Sequence, residues 1–372
     1  MSERLYALNR TLVAVNQPLR WDVFSEKGQL LLHKGYVIST ESQLESLLDR
    51  GMYADASEIE KFKLEGKPVE YDPFLEWDSL KILTGKNNLA FMRGKPEDII
   101  SGLNQKVNGI ATLLQKNQTI ALFELMQMDL TNYVAAHNLQ TAVMVSILAK
   151  KLNWDQNSTD VLCRAAATMN IAMLELQSKL TAQKEPVTVA QRTEIRSHSH
   201  RGRAILEQLG VTNSDWLRAV EQHHPEYITN GSAASEMASI IHHADVYLAK
   251  ISPRSFRPGK PPNVAAKEML QEKGMSQALA SVIIKEIGIY PPGSYVKLTN
   301  GETAIVTQRG EQVHTPAVFS LLNPTGMPLG EPVPRDTAHP NFTISSIVQR
   351  NKVMVTVNRL KLFNRKKYSD FG

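Results

Sequence analysis

The sequence has a single cysteine, Cys163. That excludes a disulfide framework and any cysteine-based zinc motif. Its neighbours (Val161, Leu162, Ala165, Ala166, Ala167) make it a small apolar residue packed in a helix, not a nucleophile. No uninterrupted apolar run reaches the roughly 20 residues a membrane span needs. The first residues, MSERLYALNRTLVAVNQ, lack the apolar core of a signal peptide. A cytoplasmic, soluble protein is the expectation. There is no Gly-rich phosphate loop and no nucleophile elbow. A formal net charge of +5 over 372 residues is too dilute for a nucleic-acid stripe, so no nucleic-acid partner is expected. Part of the excess gathers near the end, at Arg359, Lys361, Arg365, Lys366 and Lys367. Such a tail reads as a solvated end before it reads as an anion-partner site.

What is present can build a sizeable core, because 42% of the residues are hydrophobic and 21% charged. Residues 1–55 read as a small α+β module. Leu19–Phe24 and Gln29–Leu32 flank the turn Ser25-Glu26-Lys27-Gly28, which predicts a hairpin. Thr40 with Gln43 predicts a capping box that opens a helix carrying Leu44, Leu47 and Leu48, and Gly51 closes it. Residues 56–95 are polar and proline-dotted and read as a linker with short structured pieces. From 96 to 289 the period is helical, beginning at Pro96-Glu97-Asp98 with Leu103, Val107, Ile110 and Leu114 as one stripe. Further helical runs are predicted around 118–128, 131–152, 158–177, 188–209, 214–227, 233–251, 262–272 and 275–287. Residues 290–358 read as a β appendage, with Tyr295–Leu298 and Thr303–Val306 around Asn300-Gly301 and further strands at 317–322 and 353–357. Residues 359–372 form the basic tail.

The chemistry-bearing signal is histidine. His137, His198, His200, His223, His224, His242 and His243 all fall on the helical segment, out of 10 in the chain. Imidazole suits Zn, Fe, Ni or Cu, although histidines packed or hydrogen-bonded in a core have the same appearance.

The order of these residues resembles the HD-GYP domain, a subgroup of the HD metal-dependent phosphohydrolases that hydrolyses cyclic di-GMP. The resemblance covers about 131–310 and extends to Tyr290-Pro291-Pro292-Gly293 and the hairpin after it. The 12–55 segment is similar to the module that often precedes such domains. The likeness implies a mainly α fold: an HD-type helical bundle with a small N-terminal α+β module and a C-terminal β appendage. It implies metal-ligand positions at His137, His198, His223, His224 and Asp245, and ligand-binding arginines at Arg254 and Arg257.

The departures from the family pattern are as informative. The signature His-Asp pair falls on Met169-Asn170, the following Gly on Ala172 and the Lys on Met173. The Gly-Tyr-Pro loop is replaced by Pro225-Glu226-Tyr227-Ile228-Thr229-Asn230-Gly231. In the family the signature Asp bridges two metals, and neutral Asn170 cannot balance two dications about 3.5–4 Å apart. One divalent metal (Zn, Fe or Mn) on His198, His223 and His224 is one expectation, and no metal at all is the other. Two functions follow. The first is a signalling protein impaired in hydrolysis that binds cyclic di-GMP or a signalling partner such as a diguanylate cyclase. The second is a working phosphodiesterase or other phosphohydrolase that uses the remaining histidines. A helical scaffold without a ligand is the third reading. The oligomeric state is left open.

Overall fold

A computed structural model describes residues 5–10, 12–64, 71–92, 97–127, 133–224, 233–253, 258–272, 274–355 and 358–363. The chain divides into two compact units, Met1–Ser79 and Leu80–Gly372.

In the first unit, β1 (Leu5–Ala7), β2 (Val23–Phe24), β3 (Leu30–Leu32) and β4 (Tyr53–Asp55) form a sheet in the order β1-β4-β2-β3. The helices are α1 (Glu41–Asp49) and α2 (Ala56–Leu64). The β2–β3 hairpin turns at Gly28, whose φ of 78° is the left-handed value the turn requires. Thr40 Oγ1 accepts from Gln43 N at 3.2 Å and starts α1, and the Gly51 amide donates to Leu48 O just past its end. Trp21, Val23, Ile38, Leu44 and Ala54 are buried together as the core of this unit.

Helix α3 (Pro73–Met92) carries the chain across the boundary. The stretch read as linker therefore holds a 20-residue helix, longer than the short pieces expected there. The bundle continues with α4 (Glu97–Met126), α5 (Tyr133–Lys151), α6 (Gln156–Thr168), α7 (Leu174–Ala182), α8 (Val189–Gln208), α9 (Ser214–Glu221), α10 (Ala233–Ile251), α11 (Pro262–Gln271) and α12 (Gln277–Ile287). Helix α4 is broken at Asn117 (φ −157°, ψ 78°), whose side chain accepts from Ile120 N and so caps the second half.

Helix α5 is buried on every side from Tyr133 to Ala149, apart from half-buried Ala136, and takes the polar side chains His137, Asn138, Gln140, Thr141 and Ser146 inside with it. It forms the axis of the bundle, and α6 and α10 pack along it. The helix predicted over 158–177 is in fact broken. Between α6 and α7 lies a single 3-10 turn, Ile171–Met173, preceded by Met169 and Asn170. Helix α8 packs on this turn at Gly202, where a Cβ would lie 3.3 Å from Val220 Cγ1 and 3.6 Å from Ile171 Cγ2.

The C-terminal strands β5 (Tyr295–Leu298), β6 (Thr303–Gln308), β7 (Ala317–Leu322), β8 (Pro328–Asp336) and β9 (Ile344–Val348) form an antiparallel sheet ordered β8-β7-β6-β5-β9. The strand expected at 353–357 is not there: 353–355 are irregular, and 356–357 lie outside the described residues. Instead β8 carries Pro328, Pro332 and Pro334. Its place at the sheet edge tolerates the missing N–H groups. Helix α13 (Arg359–Phe363) packs Phe363 edge-on against Phe123 at 5.0 Å, and Arg359 pairs with Glu124 at 2.9 Å. Among the described residues, no helix is long and apolar enough to cross a membrane.

Candidate metal centre

Two helical segments supply one group of three histidines. His198 lies in the middle of α8, a helix started by a full capping box between Thr188 and Gln191. His223 and His224 follow the end of α9, which Asn213 caps. His198 and His223 are buried and His224 is half-buried. One ligand atom from each of the three lies within 4.8 Å of the other two.

The backbone decides which nitrogens point inward. His198 Nδ1 lies 2.5 Å from Ile195 O and His223 Nδ1 lies 2.7 Å from Val220 O. A carbonyl cannot donate, so each Nδ1 carries the proton and each Nε2 is left with a bare lone pair. Those two Nε2 atoms are 3.1 Å apart, and His224 Nε2 is 3.4 Å from His198 Nε2. Two lone pairs at that distance repel unless a proton or a cation lies between them. Nitrogens bound to one tetrahedral zinc at about 2.0–2.1 Å would be about 3.3 Å apart, the spacing found here. Burial pushes His198 down to about 4 and His223 down to about 3, which disfavours a second proton on either imidazole. The donor set, its spacing and the carbonyls behind it fit a single borderline ion such as zinc.

The other pole is closed differently. His137 on α5 and Asp245 on α10 meet at 2.6 Å between Nε2 and Oδ1. Behind the imidazole, Tyr133 stacks at 5.3 Å and its hydroxyl lies 3.4 Å from Nδ1. With Tyr133 donating to Nδ1, the Nε2 proton is given to Asp245, and the pair satisfies itself. Burial opposes ionisation of Asp245, but the His137 hydrogen bond and the nearby histidines hold its carboxyl well below the usual range. His223 and His224 also act on Asp245 electrostatically.

The remaining residues sort as follows. Met169 is fully buried and Asn170 nearly so, at the turn before α7, and Asn170 makes no cap hydrogen bond there. Met173 is half-buried. Arg254, Arg257 and the 225–231 segment lie outside the described residues. His200 faces outward to Glu221 at 3.2 Å. His243 is structural: Nδ1 donates to Ser239 O at 2.7 Å and Nε2 accepts from Ser276 N at 2.8 Å, tying α10 to the start of α12. His242, one helical turn before Asp245, is buried and held below the ordinary histidine range by that burial. Sequence reasoning missed Tyr133 and the carbonyls of Ile195 and Val220. Val220 could have been found, because a histidine just past a helix end can reach a last-turn carbonyl that has no helical partner.

No protein-family model matches this sequence, and no curated protein does. Among solved structures the chain is similar to Bd1817, an HDG"Y"P protein from Bdellovibrio bacteriovorus. The match has a TM-score of 0.51 at 15% identity and covers 76% of this chain and 99% of that one. The chain has an HD-type helical fold, with small sheets at its N- and C-terminal ends.

Proposed function

We propose that this protein is a signalling protein of HD-GYP type whose hydrolytic site is impaired, and that it acts by binding cyclic di-GMP or a partner protein. The reading rests on one contrast. The His198–His223–His224 group keeps a ligand geometry, while the position that would carry a bridging carboxylate holds neutral Asn170. The similarity to an HDG"Y"P protein supports the same reading. A divalent ion bound to the trio would act as a Lewis acid that neutralises phosphate oxygens. The chain's own residues do the rest. Ile195 O and Val220 O orient two imidazoles, and Asp245, paired to His137, sets a negative field beside them. At Met173 no ammonium is available to meet a phosphate.

The second reading, a working phosphohydrolase, is favoured by the intact trio. Calorimetric titration of cyclic di-GMP into zinc-loaded protein, followed by product analysis, separates the two. Binding without turnover is expected. Turnover that disappears in His223→Ala would establish the enzyme instead.

A further inference from the structure

A buried lysine elsewhere in the bundle has no role in the site above. Lys106 on α4 is 1% exposed, and among the described residues no carboxylate pairs with it and no group accepts its hydrogen bonds. It lines a small cavity of about 20 Å³ together with Asn87 of α3, Asn138 of α5, Thr168 of α6 and Ile171. That is room for one water-sized occupant. The lining contains no acidic residue.

Three polar groups converge there. The Asn87 amide is packed flat against the bare Cα of Gly102, where a Cβ would fall 2.2 Å from its Oδ1. Asn87 Nδ2 has no hydrogen-bond partner, and neither has Asn138 Oδ1. Asn138 can present its NH₂ group instead by a half-turn of the amide. The nearby thiol gives no countercharge, because burial pushes Cys163 up to about 11. Burial also pushes Lys106 down to about 8, so an anion beside it would favour the ammonium form. An unpaired ion in such a place is expensive, so buried charges are matched by a partner.

We propose that this cavity is a binding site for a small monoanion of halide size, chloride by abundance, held by the Lys106 ammonium and the Asn87 amide. Its occupant would sit behind the turn that carries Met169 and Asn170, since Thr168 and Ile171 flank both.

The test uses the full chain and bromide as the probe. Crystals soaked in bromide should give an anomalous peak within hydrogen-bond distance of Lys106 Nζ. The peak should be lost in Lys106→Met, which keeps the side-chain length without the charge. In solution, replacing gluconate by chloride at constant ionic strength should raise the unfolding midpoint by about 2–4 °C per tenfold once chloride exceeds its Kd. If Lys106→Met does not fold, Asn87→Leu must weaken the chloride dependence. No bromide peak, a peak that survives in Lys106→Met, or a midpoint indifferent to chloride would each overturn the proposal.

Discussion

The two poles of the candidate centre are built from the same residue type and reach opposite chemical states. At one pole, His198 and His223 give their Nδ1 protons to backbone carbonyls and aim bare Nε2 lone pairs at each other 3.1 Å apart. At the other, His137 gives its Nε2 proton to Asp245 at 2.6 Å. The first arrangement leaves facing lone pairs that a cation would satisfy, and the second is satisfied within itself. What separates them is not the histidine but the acceptor behind or before it. A carbonyl on Nδ1 makes a ligand, and a carboxylate on Nε2 makes a closed pair.

The largest expected effect falls on metal affinity. His223→Ala should weaken zinc binding by more than the roughly 10–100-fold typical of losing an outer-shell partner, as read by competition with a chromogenic chelator. His137→Ala should leave that affinity within about tenfold but destabilise the fold. Removing one partner of a buried pair should cost about 2–3 kcal/mol in urea unfolding, discounted because Asp245 is 26% exposed. If His137→Ala abolished zinc binding while His223→Ala did not, the assignment of the two poles would be reversed.

pH sharpens the same contrast. The folded values of His198 and His223 lie below the ordinary 6.5, so the unfolded chain binds more protons between about pH 6.5 and 4. Metal-free protein should keep its full stability above about pH 6.5. Below that it should lose up to about 1.4 kcal/mol per pH unit for each of the two histidines. Zinc should raise stability across this window without removing the slope, because the bound imidazoles stay unprotonated while those of the unfolded chain do not. A metal-free curve already flat from pH 7 to 4.5 would contradict buried, neutral imidazoles at His198 and His223. The smallest effect is expected at His200. Its contact with Glu221 is at the surface, so His200→Ala should shift stability by less than about 0.5 kcal/mol and leave zinc affinity unchanged.

The helical bundle was legible because helix starts and apolar stripes are strong local signals, such as Pro96-Glu97-Asp98 followed by Leu103, Val107, Ile110 and Leu114. The histidines were legible by order alone, and nothing local showed that their nitrogens would converge. Helix α3 was hidden in a stretch dotted with lysine and proline, because its support comes from burial of Phe74, Trp77 and Leu80 and not from a clean amphipathic period. Strand β8 was hidden by three prolines that only an edge position excuses. Val353–Val355 had the composition of a strand but found no partner. Lys106 looked like any surface lysine, since burial of a charge leaves no mark in composition.

The two poles together should hold one ion, at the His198–His223–His224 group. Zinc-loaded protein, dialysed and assayed for metal by atomic emission against amino-acid analysis, tests this most directly. One zinc per chain in the wild type, retained in His137→Ala and lost in His223→Ala, is the predicted result. Two tightly held ions per chain, or none in the wild type, would contradict it.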